Sequence, residues 1–466
     1  MSDFAGLNIG VTALYAQRRA LEVTGQNIAN SATDGYSRQA VDLQANGGAA
    51  VPAMWSRSNG VGNGVTVNGV RRLTDQFLEA RSVQELGTYS RLQARQSVLT
   101  NAERVFGEPG DSGLQAQLSE VWSGFDDVAN NPGDMAARNQ LLQRASTLAS
   151  SVNQAAAGLA DLWKTSREQL VTIVADTNTT AANIASLNAT IRTAAQAGLA
   201  PNELMDQRDR LVSHLADLVG ATATTHDDGS VDVLLGGSAL VRGSDSQQLA
   251  VQGATDLASV PPGTVAVGWV KDGYPASLTG GRAGGIVETL NGALPSYRDR
   301  LDKVAATLAS TVNSQQAAGW DLNGSTGAQL FSGTTAATLA VAITDPRALA
   351  ASSTPPDPVT GPSLDGGNAL ALADLASAPA GADQVYRSFI VDLGVDVQST
   401  NRRTDIQSAV YSQVDAARRS VSEVNLDEEA TNMVAFQHAY EGAARYLTAV
   451  DEMLDTLINH TGLVGR

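Results

Sequence analysis

Apolar residues recur every seven positions at both ends of the chain. Near the start, Leu7, Leu14, Leu21 and Ile28 have this spacing, which predicts a helix with one apolar stripe. Near the end, the steps alternate between three and four over more than three heptads, which predicts a coiled-coil seam. The residues of this second seam are Met433, Phe436, Tyr440, Ala443, Leu447, Val450, Leu454 and Leu457.

Between these ends the pattern changes twice. Helical spacing dominates residues 75–220, and residues 141–162 alternate steps of four and three as a coiled-coil seam does. Over residues 221–285 glycine and proline recur beside alternating valines, which predicts hairpin turns and short strands. The helical seam resumes over residues 297–312.

These patterns predict a mainly α fold with a β insertion. We expect a long-helix coiled-coil bundle built from both chain ends, plus a small β-rich domain. With 466 residues the chain is long enough for more than one folding unit. The predicted units are residues 1–74 (N-terminal helix, then short β pieces), 75–220 (first part of the helical bundle), 221–285 (β-rich insertion), 286–424 (second part of the bundle, with a Pro/Gly loop near 352–368) and 425–466 (C-terminal helix).

Composition excludes several classes of function. The formal net charge is −17 and the basic residues are scattered, with some doublets but no runs, so we expect no nucleic-acid partner and no binding to anionic lipid. Cysteine is absent, which removes disulfides, thiolate nucleophiles and cysteine-ligated metals. No cleavable signal pattern and no apolar stretch of about 18 residues occurs, so we expect no membrane insertion, and any export must proceed without a cleaved signal peptide.

Three short sequences resemble catalytic or ligand sites, and each has a simpler explanation. Residues 60–64 lack the spacing of a phosphate loop and are read as hairpin glycines. Residues 226–229 lack the acidic alternation of a calcium loop and are read as a turn. Glu428 and Glu429 are neighbours on a predicted helix, about 100° apart, so they favour its positive N-terminal end and cannot flank one scissile bond. We therefore expect no catalytic residue, no cofactor and no metal.

Two terminal helices with apolar stripes must bury those stripes. At about 25 cal/mol per Å², exposure of such a stripe forfeits several kcal/mol. The stripes can close one bundle within a monomer, or they can pack between copies in a tube through heterologous contacts. Periodicity alone leaves both arrangements open.

Motifs at both ends resemble the signatures of bacterial flagellar axial proteins. Residues 26–30 read Gln-Asn-Ile-Ala-Asn, which is similar to the N-terminal signature shared by rod, hook and hook-associated proteins. Residues 424–429 read Val-Asn-Leu-Asp-Glu-Glu, which resembles the matching C-terminal signature. The first motif is followed by Thr33, Gly35, Tyr36 and Arg38.

Motifs in the middle of the chain resemble one family within this group. Gly-Val-Thr-Val at 64–67, Asp-Gln-Arg-Asp at 206–209 and Gly-Trp-Asp-Leu-Asn-Gly at 319–324 are similar to the hook-associated protein 1 (FlgK) family. One departure is Glu423, where the family is expected to have glycine. Glycine would permit a positive φ that glutamate resists, so the sequence leaves the conformation of the turn into the last helix open.

The resemblance implies a structural subunit that self-assembles into the ring at the hook–filament junction. Its implied partners are the hook protein and the next junction protein, hook-associated protein 3. The terminal helices would line a central channel, with the β insertion outermost. The resemblance also implies secretion through the flagellar type III apparatus, after an export chaperone has bound the C-terminal region.

The seams and the resemblance together predict an assembly interface at the two chain ends. Its predicted residues are Leu7, Leu14, Leu21, Ile28, Asn30, Tyr36, Met433, Phe436, Tyr440, Leu447, Val450, Leu454 and Leu457.

Two alternatives stay open at this point. A hook or distal rod protein would share both end signatures, but its middle should be mainly β, which the helical pattern at 75–220 disfavours. An enzyme such as a cell-wall hydrolase would need a carboxylate in a cleft, and residues 221–285 offer no recognisable candidate.

Overall fold

The computed structural model describes residues 3–47, 62–111, 113–261, 263–359 and 361–460. Most of these residues are helical, and the strands form small sheets of two or four strands. This confirms the predicted mainly α fold with small β regions. Gly60 and Val61, which were read as part of a hairpin, lie outside the described residues.

The two chain ends form one unit, which we call the terminal module. It contains helix α1 (Asp3–Ala29), the antiparallel strands β1 (Gln39–Ala45) and β2 (Val65–Arg72), and helix α10 (Leu426–Asp455). A π-helical turn, Thr456–His460, extends α10. Because α1 packs on α10 and also on both strands, the first and last segments of the sequence are neighbours in space.

The rest of the chain forms what we call the helical body. Its apolar core draws on residues between Val98 and Val397. The body's helices are α2 (Gln76–Phe106), α3 (Leu114–Asn130), α4 (Met135–Gln196), α5 (Asn202–Val219), α6 (Gly281–Glu288), α7 (Leu294–Ala317), α8 (Gly367–Ala373) and α9 (Ala382–Ser422). The coiled-coil seams predicted over 141–162 and 297–312 are buried except for Leu162, which is partly exposed.

The helical body also contains short antiparallel strands. The four-stranded sheet has the order β3 (Thr222–Thr225), β4 (Val231–Leu235), β5 (Ser238–Arg242), β6 (Asp245–Ser246). Two further hairpins are β7 (Leu249–Gln252) with β8 (Ala266–Trp269), and β9 (Phe331–Ser332) with β10 (Ala340–Val341).

The predicted turn at residues 226–229 joins β3 to β4. His226 N donates to Ser230 O at 2.9 Å, and Gly229 has φ +80°, a conformation that favours glycine. The turn is confirmed. The predicted division of the chain into units stays a prediction, because element order does not establish which parts fold independently.

The turn into the last helix does not need glycine. Glu423 has φ −82° and ψ 150°, which is ordinary extended backbone. Asn425 then caps α10, since its side-chain oxygen accepts from Asp427 N and Glu428 N at 3.0 and 3.3 Å. The turn that the sequence left open thus has a negative φ at Glu423, which glutamate adopts without strain.

Asparagine side chains fasten the strand segments to the long helices. Asn188 on α4 donates to the carbonyls of Val231 and Gly243 at 2.7 Å each and accepts from Val231 N at 3.1 Å. Asn178 makes the same two-way pair with Leu249, at 2.9 and 2.8 Å. A carboxamide has both donor and acceptor, so it completes a strand as another peptide group would. Sequence patterns missed this role, because a helical asparagine usually indicates a solvent-facing position.

We predict that Asn188→Ala lowers the free energy of unfolding by about 1–3 kcal/mol, because it leaves the buried backbone groups of Val231 unpaired. Asn139→Ala is the control on the same helix, since Asn139 is exposed and bonds only to Met135 O; we expect a change within about 0.5 kcal/mol. Urea unfolding followed by circular dichroism measures both. Equal effects would show that the Asn188 contacts do not fasten the sheet.

Candidate assembly interface

The two terminal helices approach closely where α1 has glycine. A Cβ atom placed on Gly10 would lie 2.9 Å from Leu447 Cδ1, and one placed on Gly6 would lie 3.2 Å from Tyr446 Oη. These glycines therefore let α1 pack directly against the Leu447 and Tyr446 side chains of α10, and a larger residue at either position would require those side chains to shift. Val450 is buried in the same contact.

Most of the predicted interface residues are only partly covered within the single chain. Val450 is buried, whereas Tyr440 is 40% and Leu457 is 54% exposed. The seam on α10 is thus covered on one side and open on the other. The half-buried members are Leu7, Leu14, Leu21, Ile28, Asn30, Tyr36, Met433, Phe436, Leu447 and Leu454.

Sequence periodicity missed part of the apolar surface. In α1 the buried apolar side chains among the described residues are Ala16, Ala20 and Val23, which lie beside the predicted stripe because α1 also packs on β1 and β2. In α10, Met453 and Ile458 are exposed apolar residues outside the steps of three and four. The uncovered apolar surface is therefore wider than the predicted seam.

Asn27 is the centre of a buried polar network. Its Nδ2 atom donates to Gln39 O at 2.9 Å and to Glu429 Oε2 at 3.1 Å. Its Oδ1 atom accepts from Gln39 N and from Tyr36 Oη, both at 2.9 Å. Asn27 is 1% exposed, and these four bonds use its full hydrogen-bonding capacity.

Arg38 links the same network to the start of α10. Its Nε atom donates to Glu429 Oε1 and its Nη1 atom to Glu428 Oε2, both at 2.7 Å. Burial lowers the pKa of Arg38, but hydrogen bonds to both glutamates more than offset this and raise its pKa above the ordinary value. We call Asn27, Tyr36, Arg38, Glu428 and Glu429 the terminal lock.

Tyr36 acts in the lock as a neutral hydrogen-bond donor. Burial, followed by the negative charges of Asp206, Glu203 and Glu429, raises its pKa to about 12. Its hydroxyl therefore keeps its proton near neutral pH. Tyr36, predicted as an interface residue, thus has a partner within its own chain.

Asn30 closes the end of α1. Its Nδ2 atom donates to Gln26 O at 3.0 Å, and its Oδ1 atom accepts from Thr33 Oγ1 at 3.2 Å. The terminal lock brings the two sequence signatures into direct contact. The opposite charges of Arg38 and the Glu428–Glu429 pair could have indicated this contact from the sequence. The two glutamates were instead explained only by their favourable position at the N-terminal end of a helix.

The described residues contain no group of three His, Asp or Glu side chains that could hold a metal ion. No helix in the described part of the chain has both the length and the hydrophobicity that crossing a bilayer requires.

Comparison with protein families gives three matches along the chain. The helical domain of flagellar hook-associated protein FlgK matches residues 99–331. The flagella basal body rod protein family matches residues 7–36, and the C-terminal family of the basal body rod proteins FlgEFG matches residues 420–460. The two terminal matches contain Asn27, Tyr36, Glu428 and Glu429 of the terminal lock, and Arg38 lies just beyond the N-terminal match.

Similar curated proteins and a solved structure carry related names. Flagellar hook-associated protein 1 of Bacillus subtilis is 29% identical over 100% of both chains. The Escherichia coli protein of that name is 26% identical over 97% of this chain and 99% of its own. The flagellar hook junction protein FlgK from Burkholderia pseudomallei has a TM-score of 0.63 and 19% identity over 75% of this chain and 100% of its own, which shows a shared fold.

We predict unequal effects for the two neighbouring glutamates of the lock. Glu429→Ala removes one of the two carboxylate partners of Arg38 and leaves one buried Nδ2 hydrogen of Asn27 without an acceptor, so it should weaken the terminal module by about 1–3 kcal/mol. Glu428 pairs with the same arginine but its side chain is 58% exposed, so Glu428→Ala should cost less than about 1 kcal/mol. Hydrogen exchange of the α1 and α10 amides measures both. Similar loss of protection in the two variants would contradict a buried lock.

Proposed function

The chain belongs to the family of flagellar hook-associated protein FlgK, and on that premise we propose that it forms the ring joining the flagellar hook to the filament. It is a structural protein of the bacterial flagellum. The solved relative from Burkholderia pseudomallei is described as a hook junction protein, which supports the same position for this chain.

The observation that carries the proposal is the half-covered seam of the terminal module. The terminal lock pairs α1 with α10, and Tyr440, Met453, Leu457 and Ile458 stay exposed on α10. Covering each such side chain is worth about 1.5–3 kcal/mol. A neighbouring copy in a ring supplies that cover through a heterologous contact that is repeated around the axis.

The proposed partners follow from this position. The hook protein contacts one edge of the ring, and hook-associated protein 3 contacts the other. Before assembly, an export chaperone covers the C-terminal region, where the exposed apolar residues of α10 lie, and the chain is secreted by the type III apparatus.

A hook or distal rod protein is not favoured. The rod-type matches are confined to residues 7–36 and 420–460, whereas the FlgK helical domain matches residues 99–331. We propose no catalytic role, since Glu428 and Glu429, the paired carboxylates considered from the sequence, both bind Arg38.

Immunogold electron microscopy of intact flagella tests the proposed position. An antibody against residues 221–285 is used, with flagella from a strain lacking the gene as the control. We expect a single band at the boundary between hook and filament. Label along the whole hook would make this a hook protein, and label absent from flagella would refute an axial role.

We predict that Leu454→Asp blocks incorporation into flagella. Leu454 is half-buried in the single chain, and a charge in the assembled seam costs several kcal/mol only after neighbours cover it. Leu454→Met is the control, because it keeps the volume and the apolar character. Immunoblots of sheared flagella measure incorporation, and calorimetry should give the same melting temperature of the helical body for both variants. Normal incorporation of Leu454→Asp would exclude this seam from the interface.

A further inference from the structure

Two short extended segments connect the terminal module to the helical body. The chain enters the body through residues 73–75 and leaves it through residues 423–425. Asp75 has φ −110° and ψ 112°, and Asn425 has φ −93° and ψ 110°. No helix continues through either crossing. The two crossings meet at Arg38, whose N–H donates to Ser422 O at 2.8 Å and whose carbonyl accepts from Leu73 N at 2.7 Å.

The apolar cores of the two parts are separate. The core of the body extends from Val98 to Val397. The buried apolar residues described in the terminal module, Ala16, Ala20, Val23 and Val450, do not belong to it. Changing the angle between the parts therefore exposes little apolar surface, and the hydrophobic effect does little to oppose it.

Polar contacts with α5 hold the module in place. Arg72 Nη1 donates to Asp206 Oδ1 at 2.9 Å and to Asp209 Oδ2 at 2.7 Å. Ser37 N donates to Asp206 Oδ2 at 3.1 Å. The Arg72 and Asp206 side chains are 13% and 6% exposed. Two further contacts add to these: Asn202 Nδ2 donates to Gln39 Oε1 and Val70 O, both at 3.1 Å, and Arg210 Nη1 donates to Asp34 O at 2.7 Å. We call the ionic part of this contact, Ser37, Arg72, Asp206 and Asp209, the α5 latch.

A polar cavity of about 560 Å³ lies beside the latch. It is lined by the loop of residues 31–37 and by charged side chains from three helices of the body, among them Glu79, Asp209 and Arg418. The cavity is large enough for several water molecules. Water therefore reaches the joint, and a group released from the latch can be hydrated without unfolding either part.

We infer that the α5 latch is an electrostatic catch on a hinge. When Arg72 separates from Asp206 and Asp209, and the bonds of Asn202 and Arg210 to the module open with it, the terminal module turns about residues 73–75 and 423–425 while both cores stay folded. The hinge is a property of the single chain. Its mechanical use rests on the proposed function: the hinge lets the module match the lattice of the hook while the body matches that of the filament.

Paired spin labels test the hinge directly. The chain has no cysteine, so Tyr15→Cys on α1 and Ile406→Cys on α9, both at exposed positions, give unique labels for pulsed electron resonance distances. Arg72→Ala is compared with Arg71→Ala, which removes the same charge from the neighbouring, exposed residue. We expect a broadened and shifted distance distribution for Arg72→Ala alone. Identical distributions in the two variants would overturn the inference.

The outcomes separate the hinge from the proposed function. A distance change in Arg72→Ala together with immunogold label away from the junction would keep the hinge and refute the junction role. Label at the junction together with unchanged distances would support the junction role and refute the hinge.

Discussion

A buried carboxylate, Glu429, determines how the ends of this chain are arranged. One of its oxygens accepts from Arg38 Nε and the other from Asn27 Nδ2. Without both partners a charge that is 2% exposed would lose several kcal/mol of hydration without compensation. Folding must therefore bring together Asn27 and Glu429, which are 402 positions apart in the sequence.

The packing of the terminal helices follows from this constraint. With the base of α10 held beside the end of α1, the two helices run together as far as Gly10 and Leu447, where glycine allows close contact. One side of the α10 seam is used in this pairing, and the other side stays open. A subunit built in this way has an assembly surface that is already ordered by its own chain, which lowers the entropic cost of joining a neighbour.

Sequence periodicity predicted local structure, but it could not predict polar pairs between residues that are distant in the sequence. The seams at 141–162 and 297–312 and the turn at 226–229 were predictable, because burial and turn geometry depend on nearby residues. Asn27, Asn188 and Arg72 were not identified, because their partners are distant in sequence and hydrogen bonding leaves no period. The turn at Glu423 could not be predicted from the family's expected glycine, because the backbone there has a negative φ that any residue can adopt. The assembly role of Leu454 and Leu457 stays a prediction.

A cryo-electron microscopy map of the hook–filament junction, at a resolution that shows side chains, tests most directly whether the locked terminal module is the unit of assembly. We expect a ring in which α1 and α10 of each copy remain paired, with Arg38 on Glu429 and the α10 seam covered by a neighbour. A map in which α1 pairs with α10 of another copy, or in which this chain is absent from the junction, would contradict that arrangement.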